Sequence, residues 1–492
     1  SRGLRQGDPL FPSLFIVGVE VLSQLLNQLL LHPRFNGFNV PRECLLVSHL
    51  GYADDILIFS STSAVSLKLL METLKKYEHV SGQRINASKS CFMVYPRLSR
   101  TRRVLIQSIT GFFPKEFPSN YLGCPLMVGR RKKVYFHNLI KTVAATIASW
   151  KNRLLSLGGK VVLIKHVLSS LPLHLLATVS PPKSVFATLE HLFANFFWGS
   201  DEGGLKYHWI RWKDLCAPKE EGGLGIRSLD DVFNAFSIKL WWRFRQNASL
   251  WANFMMATYC SNAYPGMVVR SEGASHTWRR MLHVRDIAEQ HITFIIHSGD
   301  SNFWFDNWLG SGPLAMRLGS VSDHKVSDFL VDGRWNFQLL GLWVPPFIIN
   351  DIRMFSLPQI ENGVEDLMIW APSQSGVFTL SSAFNLVQSH KQRSFMFSKV
   401  WHPRIPFKVS VFLLRLLRNR LPTDSTFCKL GISGPSKCFC CVQANGETLD
   451  HVFCSGQGAV SIWNFFGSAS GVLNPGGSVR AYIAGWWYSA PR

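Results

Sequence analysis

The stretch Gly51-Tyr52-Ala53-Asp54-Asp55-Ile56-Leu57-Ile58-Phe59 sets two adjacent carboxylates between apolar runs. His49-Leu50-Gly51-Tyr52 leads in and Ile56-Leu57-Ile58-Phe59 leads out, so the expectation is a β-hairpin with the acids at its tip. Two aspartates on rigid strands offer hard oxygen donors to Mg2+, which accepts substrate phosphates in the rest of its shell. In two-metal phosphoryl transfer such carboxylates hold the ions that activate the attacking oxygen and stabilise the leaving one. Taken alone, an Asp-Asp pair is more often a solvated turn. Its neighbours in the chain tip the balance toward metal binding.

Upstream stands Gly3-Leu4-Arg5-Gln6-Gly7-Asp8-Pro9-Leu10, followed by Pro12, Leu14 and Phe15. Downstream come Ser81-Gly82, Ile85-Asn86, Lys89-Ser90 and then Tyr121-Leu122-Gly123-Cys124-Pro125-Leu126. These blocks, in this order and at this spacing, resemble the reverse transcriptases of plant non-LTR (LINE-type) retrotransposons, and the similarity runs through essentially the whole chain. The resemblance implies an RNA-directed DNA polymerase of a transposable element, with Asp54 and Asp55 as catalytic Mg2+ ligands. Gln6 and Gly7 would contact nucleotide or template, and Lys89 would lie near the nucleotide's phosphates. The partners implied are an RNA template, a DNA primer and deoxynucleotides. In that family a further Asp on an earlier palm strand also holds the metals. That strand precedes the first motif present here, so the expectation is polymerase ancestry without polymerase activity in this chain. The alternative is a non-catalytic nucleic-acid-binding zinc protein or a structural relic.

Composition agrees with a folded nucleic-acid binder. The 492 residues are 47% hydrophobic and 13% aromatic, which excludes disorder, and the net charge of +21 suits a surface that neutralises phosphates. Ten cysteines, five of them from Cys428 onward, do not read as a disulfide framework. An intracellular location, nuclear or cytoplasmic and not secreted, is expected. The chain opens Ser1-Arg2-Gly3, without Met and already inside a motif, and is read as a fragment. One apolar run, Leu10 to Leu31, could be mistaken for a membrane span. Glu20, Gln24, Asn27 and Gln28 interrupt it, so no membrane partner is expected. Asp8 as N-cap and Pro9 at the first helical position would begin a buried amphipathic helix there.

Further along, Leu67, Leu70, Leu74 and Tyr77 share one face of a helix from about Ala64 to Val80 that stops at Gly82. From Tyr121 to about Phe244 the pattern reads as helical and basic. Arg130-Arg131-Lys132-Lys133 is a candidate for tracking a nucleic-acid backbone. Gly158-Gly159 would separate two helical runs. Trp212-Lys213-Asp214-Leu215-Cys216 and Glu221-Gly222-Gly223-Leu224-Gly225 are further family punctuation, and the aromatics here read mostly as core anchors. Trp370 with Gly376-Val377-Phe378 suggests a short β-pair.

Near the end, Cys438-x2-Cys441 and His451-x2-Cys454 supply thiolate and imidazole donors suited to tetrahedral Zn2+ in a structural role. This resembles the zinc-binding region that follows reverse transcriptase in plant elements. The family more often has a longer final gap, which would place the last Cys at Gly456; here Cys454 must substitute, and Cys440 is a spare thiol that could compete. The expected fold is α+β. A partial reverse transcriptase palm (1–120) with the catalytic hairpin would be followed by a helical thumb-like region (121–244) and an aromatic-rich connecting region (245–395). A small zinc-binding helical module (396–470) and a tail (471–492) would complete it. Apolar surface left open on an isolated palm would make it poorly soluble.

Overall fold

The computed structural model describes residues 9–42, 44–150, 155–199, 207–261, 263–319, 322–355, 364–432, 434–442, 445–472 and 476–489. Helices alternate with short β-ladders, so the fold is a mixed helix–sheet one in which helix dominates. Among the described residues the strands pair only two by two. The chain packs as two compact units, each built from two distant segments: 1–130 with 238–379, and 131–237 with 380–492.

In the first unit, helix α1 (Phe11–Leu30) lies against helix α2 (Ala64–Ser81). Leu22, Leu26 and Leu29 recur at helical spacing and meet Leu70, Leu74 and Tyr77, with Phe35 closing the cluster. The four α2 residues expected on one face are all buried, and Gly82 ends the helix in the left-handed conformation at φ 70°. Asp8 lies outside the described residues, and Pro9 precedes the helix rather than opening it; Pro12 occupies the first turn instead. The expectation of a buried helix is also corrected. Only the second half of α1 packs, because α2 covers it there, while Leu14, Ile16, Val17 and Val21 remain exposed. The segment Pro12–Leu30 is long and apolar enough to cross a membrane by length and composition alone. Its Leu22–Leu26–Leu29 stripe is nonetheless committed to a protein core.

The later segment of this unit is filled by indoles and phenyl rings. Trp241, Trp278, Trp304, Trp308 and Trp370 are fully buried. Strand Leu367–Trp370 pairs antiparallel with Ile292–Ile295, so the partner expected at Gly376-Val377-Phe378 is corrected. Gly376 instead closes a turn, its carbonyl accepting from Trp370 N at 2.7 Å, and Phe378 stacks on Trp242. Beneath these rings lies a buried ionic network. Arg245 donates through Nε to Glu289 Oε1 at 2.8 Å and through Nη2 to Asp306 Oδ1 at 2.6 Å. The Tyr264 hydroxyl joins Asp306, and Trp241 Nε1 donates to Glu289 Oε1 at 2.7 Å. Burial disfavours the guanidinium's charge, but Glu289, Tyr264 and Asp306 outweigh it and hold Arg245 firmly ionised.

In the second unit, helices His137–Ser149, Leu157–Leu163 and Lys183–Trp198 build a core around Val143, Val161, Leu189, Phe193, Phe196 and Phe197. Gly158 and Gly159 do not separate two helices. They lie in the first turn of Leu157–Leu163, where the Ser156 hydroxyl caps Gly159 N at 3.1 Å and the Phe407 ring covers Gly158. The Glu221–Gly225 run is a close backbone crossing: Gly225 N donates to Ala217 O at 2.9 Å, and a Cβ on Gly223 would stand 1.9 Å from that same oxygen. Helix Phe407–Leu417 ends at Arg418, and Asn419 turns the chain at φ 53°.

Candidate metal centres

The acidic hairpin forms as expected. Strands β1 (His49–Tyr52) and β2 (Asp55–Ile58) are antiparallel with Tyr52 opposite Asp55, leaving Ala53 and Asp54 as the turn. Ala53 sits at φ 51°, a conformation that costs a residue with a Cβ about 1 kcal/mol. Ile56 and Ile58 pack on the α1–α2 core. The Ser48 hydroxyl, one residue before β1, donates to Asn27 Oδ1 of α1 at 2.8 Å. The hairpin is thus held at its base, and it presents Asp54 in the turn and Asp55 at the start of the return strand, both exposed. A pair of exposed carboxylates on a braced hairpin fits the donor chemistry of Mg2+.

A second hairpin follows further along the chain. Ser119–Tyr121 pairs with Cys124–Leu126 through a turn at Leu122 (φ 48°) and Gly123 (φ 76°), which corrects the helical reading from Tyr121 onward. Two consecutive positive φ values make the type I′ form of a two-residue hairpin turn, and this is the physical content of the Leu122-Gly123 pair. Burial, and then the negative charge of Asp55, push the Tyr121 phenol up, so Tyr121 lies within electrostatic reach of the acidic tip as a neutral hydroxyl. In the sequence Tyr121 is legible only as part of a motif, with nothing local to link it to an acid far upstream.

Of the other expected site residues, Gln6 and Gly7 lie outside the described residues. Lys89 is exposed on a turn whose amide is held by Asn86. In the basic cluster, Arg130, Lys132 and Lys133 are exposed, whereas Arg131 Nη1 donates to Ser180 O at 3.0 Å.

The second candidate centre is in the other unit. Cys438, Cys441 and His451 bring their donor atoms within 4.8 Å of one another, and Cys441 Sγ stands 3.3 Å from His451 Nε2. A tetrahedral Zn2+ with ordinary bond lengths would separate a sulfur and a nitrogen ligand by about 3.5 Å, so these donors fit that ion. Local hydrogen bonds place them: Cys438 N donates to Asn445 O at 2.8 Å, and the Thr448 hydroxyl caps His451 N at 3.1 Å. Cys454 does not join the group. It sits in the helical turn His451–Ser455, is buried, and has its thiol pushed up to about 11 by burial and the charge of Asp450. Cys440 is exposed, with its thiol raised chiefly by the neighbouring Cys438.

Residues 1–126 match the family described as reverse transcriptase (RNA-dependent DNA polymerase), and residues 378–463 match the one described as zinc-binding in reverse transcriptase. The chain is related to the reverse transcriptases of non-LTR retrotransposons. Its reverse-transcriptase region contains the acidic hairpin, and its zinc-binding region contains the Cys/His group. A relative named "Putative ribonuclease H protein" from Arabidopsis thaliana is 27% identical over 358 residues, 69% of this chain and 57% of its own length. The Pol polyprotein of a type-2 retrotransposable element of Drosophila melanogaster is 25% identical over 247 residues, 46% of this chain and 21% of the relative. A 149 kDa protein of transposon TX1 from Xenopus laevis is 24% identical over 249 residues, 48% of this chain and 17% of the relative. The chain therefore spans little more than half of one of these relatives and about a fifth of the others.

Proposed function

We propose that this reverse-transcriptase-related chain carries the metal-binding hairpin of a palm and uses Asp54 and Asp55 to hold Mg2+ in RNA-directed DNA synthesis. The observation that carries the reading is the braced hairpin with both carboxylates exposed at its tip. Bound there, Mg2+ would supply positive charge to a nucleotide's phosphates and to an attacking 3′-hydroxyl. The protein's own contribution is to hold Asp54 in the turn and Asp55 at the start of the return strand of a braced hairpin, with the Tyr121 hydroxyl within electrostatic reach of Asp55. Lys89, exposed on its turn, is free to meet phosphate, and Gln6 and Gly7 would contact nucleotide or template. The helical region 121–244 would act as the thumb.

A second reading has its own support. Among the described residues no third carboxylate gathers with Asp54 and Asp55, while the net charge is +21 and a zinc donor set is formed. In that reading the chain is an inactive polymerase relative that grips RNA or DNA by phosphate neutralisation and is stabilised by structural Zn2+. Ten free cysteines suit an intracellular, reducing location, nuclear or cytoplasmic, for either reading.

Primer extension on an RNA template with Mg2+ and deoxynucleotides separates them, beside the double variant Asp54→Asn/Asp55→Asn. Extension abolished by the double variant supports the first reading. No extension, together with RNA binding that weakens steeply with salt, supports the second. Neither extension nor salt-sensitive binding refutes both.

A further inference from the structure

Strand Leu367–Trp370 has one edge that the protein leaves partly uncovered. It pairs with Ile292–Ile295 in a register that sets Met368 opposite Phe294 and Trp370 opposite Ile292. Phe294 N donates outward, to Asn307 O at 3.1 Å, so Met368 and Phe294 form the kind of antiparallel pair that exchanges no hydrogen bond. The Met368 N–H and C=O therefore point away from Ile292–Ile295. Two residues on, Trp370 N points the same way and is taken by Gly376 O at 2.7 Å. Met368 has no such partner among the described residues. Its edge lines a groove of about 400 Å3, together with the turn that carries Val377 and the last two turns of helix Leu229–Gln246, which contribute Lys239, Arg243 and Gln246. Lys239 and Arg243 make no ion pair or side-chain hydrogen bond among the described residues. Leu367 and Val377, which also line the groove, are 53% and 63% exposed. An open strand edge flanked by exposed apolar side chains is a template for another chain, and proteins ordinarily cover or blunt such an edge.

We infer that this groove takes an extended acidic peptide segment of a partner protein, added as a strand at the Met368 edge. In strand addition, main-chain hydrogen bonds supply the affinity and contacts to alternate side chains supply the selectivity. Lys239 and Arg243 stand one helical turn apart, about 6 Å along the axis, and alternate side chains of an extended strand are about 6.8 Å apart. Acidic residues at every second position therefore match the two cations, and apolar residues between them suit Leu367 and Val377. A nucleic-acid strand would meet the cations, but the free N–H and C=O of one strand residue are the complement of another peptide backbone. The net charge of +21 makes a second copy of this chain a poor source of such a segment, so the partner is a different, acidic protein. No residue of the groove belongs to either metal centre, so peptide binding there is independent of polymerase activity and of zinc.

The test titrates a fluorescein-labelled peptide of repeated Glu-Val into the full chain and follows fluorescence anisotropy. Saturable binding is expected, with none by a peptide of repeated Lys-Val. Bound peptide should slow amide exchange at Met368, which the chain's own ladder leaves unprotected. Lys239→Glu/Arg243→Glu is expected to weaken binding by at least about tenfold, since it reverses both cations. The fully N-methylated Glu-Val peptide keeps the charges but cannot donate to a strand edge, and it is expected to bind about tenfold more weakly. An oligouridylate of the same length is expected not to displace the Glu-Val peptide. No saturable binding, or binding that the double variant leaves unchanged, would overturn the inference. Displacement by the oligouridylate, with equal binding of the N-methylated peptide, would overturn it in favour of a nucleic-acid contact. If the double variant does not fold, the wild-type arms still decide: binding without protection of Met368, or without sensitivity to N-methylation, overturns strand addition.

Discussion

Replacing Arg245 with Met should test the buried ionic network. The methionine keeps most of the stem's volume and removes the charge, so two carboxylates lose their counter-ion inside the first unit. Arg245, Glu289 and Asp306 have side chains only 7%, 1% and 6% exposed, so water cannot replace the guanidinium. Asp306 would keep the Tyr264 hydroxyl and Asn302 N, at 2.7 Å, as donors. Glu289 would keep only Trp241 Nε1, and its Oε2 already lacks a hydrogen-bond partner. Burial pushes the Glu289 carboxyl up even with Arg245 present. Breaking a buried ion pair from one side costs about 3–5 kcal/mol, and the loss here should fall mainly on Glu289. With the guanidinium gone, Glu289 protonates more readily in the folded state than in the unfolded one. The folded state then holds a proton that the unfolded state releases, and the variant loses stability as pH rises.

The Arg245→Met penalty should therefore be largest near pH 8 and shrink toward pH 5, by up to about 1.4 kcal/mol per pH unit for each carboxylate that protonates. Arg245→Met/Glu289→Gln should recover part of the loss, because the neutral amide needs no counter-ion. Urea unfolding at the two pH values, followed by near-ultraviolet circular dichroism, gives the magnitudes. Amide exchange in helix His276–His291 assigns the transition to this unit. A penalty under about 1 kcal/mol at pH 8, or one that is equal at both pH values, would refute the reasoning.

Gly223→Ala should destabilise by about 3–5 kcal/mol, since its Cβ would stand 1.9 Å from Ala217 O and force apart the crossing that holds Gly225 N on that oxygen; Gly434→Ala, with nothing within 4 Å, should change stability by under 1 kcal/mol in the same denaturation assay. Burial and the adjacent acids raise the Glu190 carboxyl from 4.5 to about 7, opposed by its hydrogen bond from Leu229 N. Its contribution is fully present below pH 4.5 and is lost as pH rises through about 7, so Glu190→Gln should gain on the wild type over that window by up to about 3 kcal/mol, read from urea midpoints across pH. Ala53→Gly should relieve the positive φ at the acidic turn, and amide exchange in His49–Ile58 should slow by up to about fivefold, equivalent to about 1 kcal/mol; faster exchange would mean that the turn is not the strained point.

Some of this protein could be read directly from local chemistry. A helix stripe of Leu67, Leu70, Leu74 and Tyr77, or an Asp-Asp pair between two apolar strands, is specified within a dozen residues, and both form as their patterns require. The Cys438, Cys441 and His451 donors were legible for the same reason, since their spacing limits where the atoms can go. What failed needed information from elsewhere in the chain. The burial of α1 depended on how far α2 extends along it, and the partner of Leu367–Trp370 lay at Ile292–Ile295, beyond the reach of any short-range pattern. The fourth zinc position likewise turned on direction rather than spacing. Cys454 has the right chemistry three residues after His451, yet it lies outside the group that Cys438, Cys441 and His451 form. Sequence determined which groups this chain has and which neighbours share a face. Tertiary packing alone decided which of them converge, because convergence depends on the orientation of Cα–Cβ bonds from segments that only folding brings together.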